Sequence, residues 1–265
     1  MQPVRQVLTT SVSGEHTRPS SQPVDPTPRH DDSLVCELCR GIGYVVDRQQ
    51  GGKAVPCKCR LEKMAAERAQ RLQEASGLTP AHLQRWTFDT FHPERSVGSS
   101  RDRAAMADIL ASCRAFAEQP QGWLVLIGVA GCGKTHLAYA IAGDQIKRGR
   151  PALAITVPDM LDLLRDGFKD DGTLGFERRL AAVRDVGLLV LDDLGMEKPT
   201  AWAIEKLYQI INRRYEVAAP LVVTTNCNLL AGSAGLEARI ASRLRDTQLS
   251  RLMALPADDY RLRRA

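Results

Sequence analysis

The segment Gly128-Val-Ala-Gly131-Cys132-Gly133-Lys134-Thr135 has the residue types and spacing to hold a chain of phosphates. It fits Gly-x4-Gly-Lys-[Ser/Thr], in which glycines let the backbone wrap close to the ligand and successive N–H groups point inward. A helix beginning near Lys134 adds the partial positive charge of its N-terminus. The Lys134 ammonium would reach the β and γ phosphates, and the Thr135 hydroxyl would ligate Mg²⁺. Gly128, Gly131, Cys132, Gly133, Lys134, Thr135 and His136 form the expected binding set. The expected ligand is a nucleoside triphosphate, with ATP first.

A second element, Gly187-Leu-Leu-Val-Leu-Asp192-Asp193, is an apolar run ending in two carboxylates. In an open α/β sheet, ligands gather at the carboxyl ends of the strands. Asp192 is expected to hold Mg²⁺, directly or through water. Asp193 is expected to orient or deprotonate the attacking water. The competing reading is a strand-to-loop turn with solvated aspartates, because buried carboxylates must be paired or hydrated.

Cys36-Glu-Leu-Cys39 and Cys57-Lys-Cys59 offer four thiolates in two close pairs, which suits tetrahedral Zn²⁺. Gly41, Gly43, Gly51 and Gly52 surround an apolar Tyr44-Val-Val, as in a small β-hairpin knuckle. His30 could replace one ligand. Four thiolates close the coordination shell, so the expected role is folding the module and contacting a partner, not catalysis. Cys113, Cys132 and Cys227 are scattered and read as buried or incidental thiols.

These groups need a scaffold, and the apolar pattern supplies one. Short runs at Trp123–Ile127, Ala152–Val157, Gly187–Leu191 and Leu221–Thr225 alternate with periodic stretches such as Lys134–Lys147 and Ala201–Val217. Buried strands alternating with helices imply a parallel sheet covered on both faces. The expected layout is a disordered tail over 1–33, a zinc-binding module over 34–60, a helical linker over 61–85 and an ATPase domain over 86–265. The tail is rich in Pro, Ser, Thr and charge and cannot bury enough surface to offset its ordering entropy. Residues 61–75 lack Gly and Pro and read as a charged, solvated helix.

Composition sets outer bounds. The chain has 265 residues, 44% hydrophobic and 25% charged, which are ordinary values for a globular protein. No apolar run reaches the roughly 18 residues of a membrane span, and no secretory signal is visible. An odd cysteine count in that setting argues against a disulfide scaffold. The net charge of +5, mostly arginine, suits phosphate-rich partners.

From Trp86 to the C-terminus the chain resembles the AAA+ ATPases of the DnaC/DnaI helicase-loader group and their relative, the IstB-like transposition helper ATPases. The resemblance rests on motifs in order: Trp86-Thr-Phe88-Asp-Thr-Phe91, the phosphate loop, Leu-Asp192-Asp193-Leu-Gly, Val223-Thr-Thr225-Asn226, Arg239-Ile-Ala-Ser-Arg243-Leu and Asp259-Tyr260-Arg261. It implies a P-loop AAA+ fold, a parallel sheet flanked by helices and preceded by the small zinc module. It also implies that Asn226 acts as sensor 1, that the Arg239–Arg243 segment carries an arginine finger, with Arg243 first and its neighbours Arg239 and Arg245 open, and that Arg261 acts as sensor 2 or belongs to a basic tail with Arg263 and Arg264. Many such ATPases carry Asp-Glu where this chain has Asp192-Asp193, so Asp193 has a shorter reach.

Physical reasoning bears on several of these. Asn226 ends a buried strand, so its amide could polarise the attacking water. Arg243 lies on an expected helix, Leu236 to Arg245, and shares a face with Arg239. A guanidinium from a neighbouring subunit can neutralise charge on the γ-phosphate, which requires self-association or a partner ATPase. Phe88 and Phe91 could wall the adenine, or be core. Phe168 and Lys169 could contact single-stranded DNA, or form a surface loop.

The function this implies is a DNA-replication accessory ATPase that places a replicative helicase on single-stranded DNA. It would sit in the cytoplasm of a bacterium, or serve a phage, near the nucleoid and without a membrane partner. A transposition helper and a nucleotide-gated adaptor with little hydrolysis are the alternatives.

Overall fold

The computed structural model describes residues 36–47, 51–92, 99–197, 200–229 and 236–256. His30, the tail 1–33 and the Asp259-Tyr260-Arg261 element lie outside them. The chain divides into two units, 1–57 and 58–265.

In the first unit, β1 (Tyr44–Asp47) and β2 (Lys53–Pro56) pair antiparallel. Gly51 and Gly52, just before β2, take the left-handed backbone with φ of 72° and 78°, which glycine adopts without strain. Ahead of β1 the Arg40 N–H donates to the Cys36 carbonyl at 2.8 Å and the Ile42 N–H to the Cys39 carbonyl at 3.0 Å. The expected hairpin knuckle is therefore formed.

The second unit runs α1 (Lys58–Ala75), α2 (Pro80–Arg85), α3 (Ser100–Glu118), β3 (Trp123–Ile127), α4 (Lys134–Lys147), β4 (Ala152–Thr156), α5 (Val157–Asp185), β5 (Leu188–Leu194), α6 (Ala201–Glu216), β6 (Leu221–Thr225), α7 (Ala238–Leu244) and β7 (Ser250–Ala254). The strands form one sheet in the order β4-β5-β6-β3-β7, with every pair parallel. β3 divides its side chains between two cores. Leu124 and Leu126 join α3 and α4, whereas Trp123, Val125 and Ile127 join α5, α6 and α7. That period-two split is what a strand covered on both faces requires.

Two features depart from the reading above. α1 begins at Lys58, so Cys59 falls in its first turn. The stretch 61–85 is two helices packed on the sheet unit: Leu78 is buried in its core, with Leu72 and Leu83 against it. The turn after α1 also covers the edge of the sheet, where the Ala154 N–H donates to the Ser76 carbonyl at 2.8 Å. The described residues of α1 from Leu61 to Arg71 are exposed, Leu61 and Met64 among them, as a solvated helix requires, and the apolar burial is confined to Leu72, Leu78 and Leu83.

On the other face, Arg214 of α6 is fully buried. Its guanidinium donates to the carbonyls of Arg184 (2.8 Å), Val186 (3.0 Å), Gly187 (3.3 Å) and Pro220 (2.5 Å). One side chain thus ties together the approaches to β5 and β6, although burial lowers its pKa to about 10.

Candidate nucleotide site and cysteine cluster

The phosphate loop joins β3 to α4 at the carboxyl edge of the sheet. Gly133 caps α4 with φ 103° and ψ 4°, a left-handed conformation that glycine adopts without strain. A Cβ there would also lie 2.8 Å from the Phe91 ring. The Lys134 ammonium, 5% exposed, donates to the carbonyls of Gly128 at 2.9 Å and Val129 at 2.7 Å. It lies 3.7 Å from Cys132 Sγ, so Cys132 packs beneath the lysine. These contacts place the positive charge inside the turn of the loop, where a phosphate would meet it.

Thr135 and Asp192 come together from α4 and β5. The Thr135 hydroxyl donates to Asp192 Oδ1 at 3.1 Å, and the Thr224 hydroxyl of β6 donates to the same oxygen at 2.5 Å. Asp192 is 2% exposed. Burial raises its carboxyl pKa and the neighbouring Asp193 adds to that, against the two hydroxyls and Lys134. A hydroxyl from the phosphate loop and a buried carboxylate are hard oxygen donors, the chemistry Mg²⁺ selects.

Asp193 owes its position to a bulge. Leu191 pairs with Val223 and Leu194 with Thr225, so Asp192 and Asp193 together oppose the single residue Thr224. Asp193 takes φ 56°, and its N–H donates to Thr224 Oγ1 at 2.9 Å. Thr224 therefore serves both aspartates, accepting from one and donating to the other. The motif Val223-Thr224-Thr225-Asn226 contains it but gives the role to Asn226. The one signal for it is the presence of two threonines inside an otherwise aliphatic strand.

Asn226 follows β6, which lies between β3 and β5. The last residue of β6, Thr225, pairs with Ile127 of β3 and Leu194 of β5, so Asn226 follows between the start of the phosphate loop and the end of the Asp192 strand. It is exposed, with its amide 3.9 Å from Met196 Sδ. Lys134, Thr135, Asp192, Asp193 and Asn226 thus share one edge of the sheet.

Arg243 is placed differently. Its guanidinium turns onto α6, donating to Asn212 Oδ1 at 2.9 and 2.6 Å and to the Tyr208 hydroxyl at 2.9 Å. It stacks 4.7 Å from the Tyr208 ring centroid. Arg239 lies 4.5 Å from the same ring and pairs with Glu237. His136 is turned toward the aromatic lead-in, 2.8 Å from the Thr87 carbonyl.

The cysteine cluster is assembled. The ligand atoms of Cys36, Cys39, Cys57 and Cys59 all lie within 4.8 Å of one another. Cys36 and Cys57 sulfurs are 3.7 Å apart. Four thiolates at about 2.3 Å from a tetrahedral zinc have sulfurs roughly 3.8 Å apart, so the set is compatible with that ion.

Comparison with known proteins follows the same lines. A family model described as IstB-like ATP binding protein matches residues 57–264. The replicative helicase loader DnaC of Escherichia coli (strain K12) is 30% identical over 183 residues, covering 68% of this chain and 71% of that protein. An ATP-binding protein of insertion sequence IS5376 from Geobacillus stearothermophilus is 29% identical over 184 residues, covering 68% and 69%. The crystal structure of DnaI superposes with a TM-score of 0.55 at 21% identity, covering 72% of this chain and 99% of that one. At that identity the likeness is one of fold. Among the described residues no helix is long and apolar enough to cross a membrane.

Proposed function

The chain belongs to the IstB-like ATP-binding protein family, and on that premise we propose that it is an ATPase that places a replicative helicase on single-stranded DNA. The observation that carries the reading is the match to a helicase loader over two thirds of the chain, with Thr135 and Asp192 joined at the phosphate loop. The chain binds and hydrolyses ATP. Lys134 holds the β and γ phosphates. Thr135 and Asp192 hold Mg²⁺, which supplies charge neutralisation on the phosphates. Asp193 and Asn226 orient the attacking water. Arg243 acts on the nucleotide of a neighbouring subunit, kept in position by Asn212 and Tyr208, and Arg261, outside the described residues, is the candidate sensor 2.

Cys36, Cys39, Cys57 and Cys59 hold a structural Zn²⁺ that fixes the knuckle. Leu38, Ile42 and Val46 are exposed there and offer the helicase an apolar docking face. Phe168, exposed and stacked 4.3 Å from Phe176, with Lys169 next to it, contacts single-stranded DNA. The organisation is a tail over 1–33, the zinc module, the helices of 58–85 and the ATPase core, working in the bacterial cytoplasm near the nucleoid.

The insertion-sequence relative favours a second reading, a transposition helper acting on duplex DNA. ATP turnover by the full chain, with single-stranded or duplex DNA and with the host's helicase or transposase as bait, separates the two. Capture of helicase and stimulation by single strands support loading. Capture of transposase and stimulation by duplex overturn it, and absence of turnover under every condition reduces the chain to a nucleotide-gated adaptor.

A further inference from the structure

Past Asp193 the end of β5 runs into a turn, Asp193 to Glu197, that is fastened to the end of β6 at three places. The Thr225 hydroxyl, fully buried, donates to the Leu194 carbonyl at 2.7 Å and accepts from the Cys227 N–H at 3.0 Å. One side chain thus ties the start of the turn to both flanks of Asn226. Gly195 takes φ 93°, and a Cβ there would lie 2.6 Å from Cys227 Sγ, so glycine lets the two segments approach this closely. The Asn226 amide lies 3.9 Å from Met196 Sδ, a weak acceptor.

The turn is also closed on itself. The Met196 N–H donates to the Asp193 carbonyl at 3.2 Å, and the Gly195 N–H donates to Glu197 Oε2 at 2.8 Å. Glu197 is half-buried and makes no ion pair among the described residues, so its carboxylate is committed to the backbone of the turn. Met196 is 61% exposed, so it lies over Asn226 without being part of the core. The turn therefore begins on Asp193 and ends against Asn226, the two groups read as orienting the attacking water. Asp193 is one methylene shorter than a glutamate and is held in the left-handed conformation at φ 56°. The placement of the Asn226 amide then matters more to the geometry of that water.

We infer that Glu197 and Met196 are positioning residues for hydrolysis: Glu197 closes the turn through the Gly195 N–H, and the closed turn sets Met196 against the Asn226 amide. This deepens the reading of Asn226 as a water-orienting group and rests on it. Neither residue touches the nucleotide in this assignment, so both act through Asn226. Glu197→Gln keeps a side-chain oxygen that accepts the same N–H, whereas Glu197→Ala leaves the turn open. Met196→Ala removes the contact with the amide and leaves the turn closed.

The test is steady-state MgATP turnover by the full chain for the wild type, Glu197→Ala, Glu197→Gln and Met196→Ala, each with Asn226 intact and with Asn226→Ala. With Asn226 intact, Glu197→Ala is expected to lower kcat about tenfold and Met196→Ala about threefold, with KM within about twofold of the wild type. Glu197→Gln is expected to restore most of the rate. In the Asn226→Ala background the same substitutions are expected to cause no further loss, because the group they act through is gone. Equal fold losses in the two backgrounds, or wild-type rates for Glu197→Ala and Met196→Ala, would overturn the assignment. Should Glu197→Ala unfold, as circular dichroism would reveal, the Met196→Ala pair decides alone, since that side chain is outside the core. A wild-type rate for Asn226→Ala by itself removes the premise, and that single comparison shows it separately from the rest.

Discussion

The Thr135 hydroxyl donates to Asp192 Oδ1 across 3.1 Å, joining the first turn of α4 to the end of β5. The contact sets the phosphate loop at a fixed distance from the acidic strand. It also keeps a buried carboxylate partly satisfied in a place where its charge is costly.

That cost is measurable. Burial raises the folded-state pKa of Asp192 above its ordinary 3.8. As pH rises from 3.8 to the raised value, the folded chain retains a proton that the unfolded chain has released. Stability falls through that window, and the loss persists at neutral pH. Asp192→Asn is therefore expected to raise the melting temperature without nucleotide, by about 2–4 °C for each kcal/mol relieved. The same substitution is expected to reduce ATP turnover by at least about 100-fold. Calorimetry and phosphate release check the two effects, and a lower melting temperature would contradict the electrostatic account.

Thr224 carries a sharper expectation because one hydroxyl serves two aspartates. Thr224→Val removes the donor to Asp192 and the acceptor of the Asp193 N–H. Losing a buried hydrogen bond to a charged group costs about 1.5–3 kcal/mol. Turnover is expected to fall about tenfold or more in Thr224→Val and to recover in Thr224→Ser. Equal activity in the two variants would remove Thr224 from the site.

The cysteine cluster predicts stoichiometry. Purified chain is expected to carry about one zinc, read by elemental analysis, and Cys57→Ser to lose it. Cys113 gives an internal control: it is buried in the core, and its thiol pKa is pushed up to about 12. It is expected to resist alkylation in folded protein both with and without chelator, whereas the cluster thiols become reactive on chelation.

Arg243 separates binding from hydrolysis. Arg243→Ala is expected to lower turnover by at least about 100-fold while nucleotide affinity changes little, since a trans-acting guanidinium serves the transition state. Turnover of the wild type should then rise with protein concentration. A concentration-independent rate would place Arg243 in a structural role, held by Asn212 and Tyr208 as the structure shows.

The parts of the site written as local spacing were legible from the sequence. The loop from Gly128 to Thr135 and the acidic pair after an apolar run depend on neighbours in the chain, and the sheet brings them together. Thr224 was not legible, because its role comes from a bulge that sets two residues of β5 against one of β6. β7 escaped notice for a related reason. Its apolar run is only Leu252-Met-Ala-Leu255, closed by Pro256 and flanked by the exposed Arg251, and as an edge strand it leaves Leu252 and Met253 half-buried, so the run is short and weakly marked. The orientation of Arg243 depends on Tyr208 and Asn212, one helix and one strand earlier. No pattern within its own helix could show it.

The most direct test of the account is the amount of the host's replicative helicase retained on single-stranded DNA. It would be measured after incubation with the full chain and MgATP, for the wild type and for Lys134→Ala. The account requires retention that depends on both the chain and ATP, and its loss in Lys134→Ala. No retention with the wild type, or equal retention with Lys134→Ala, would contradict it.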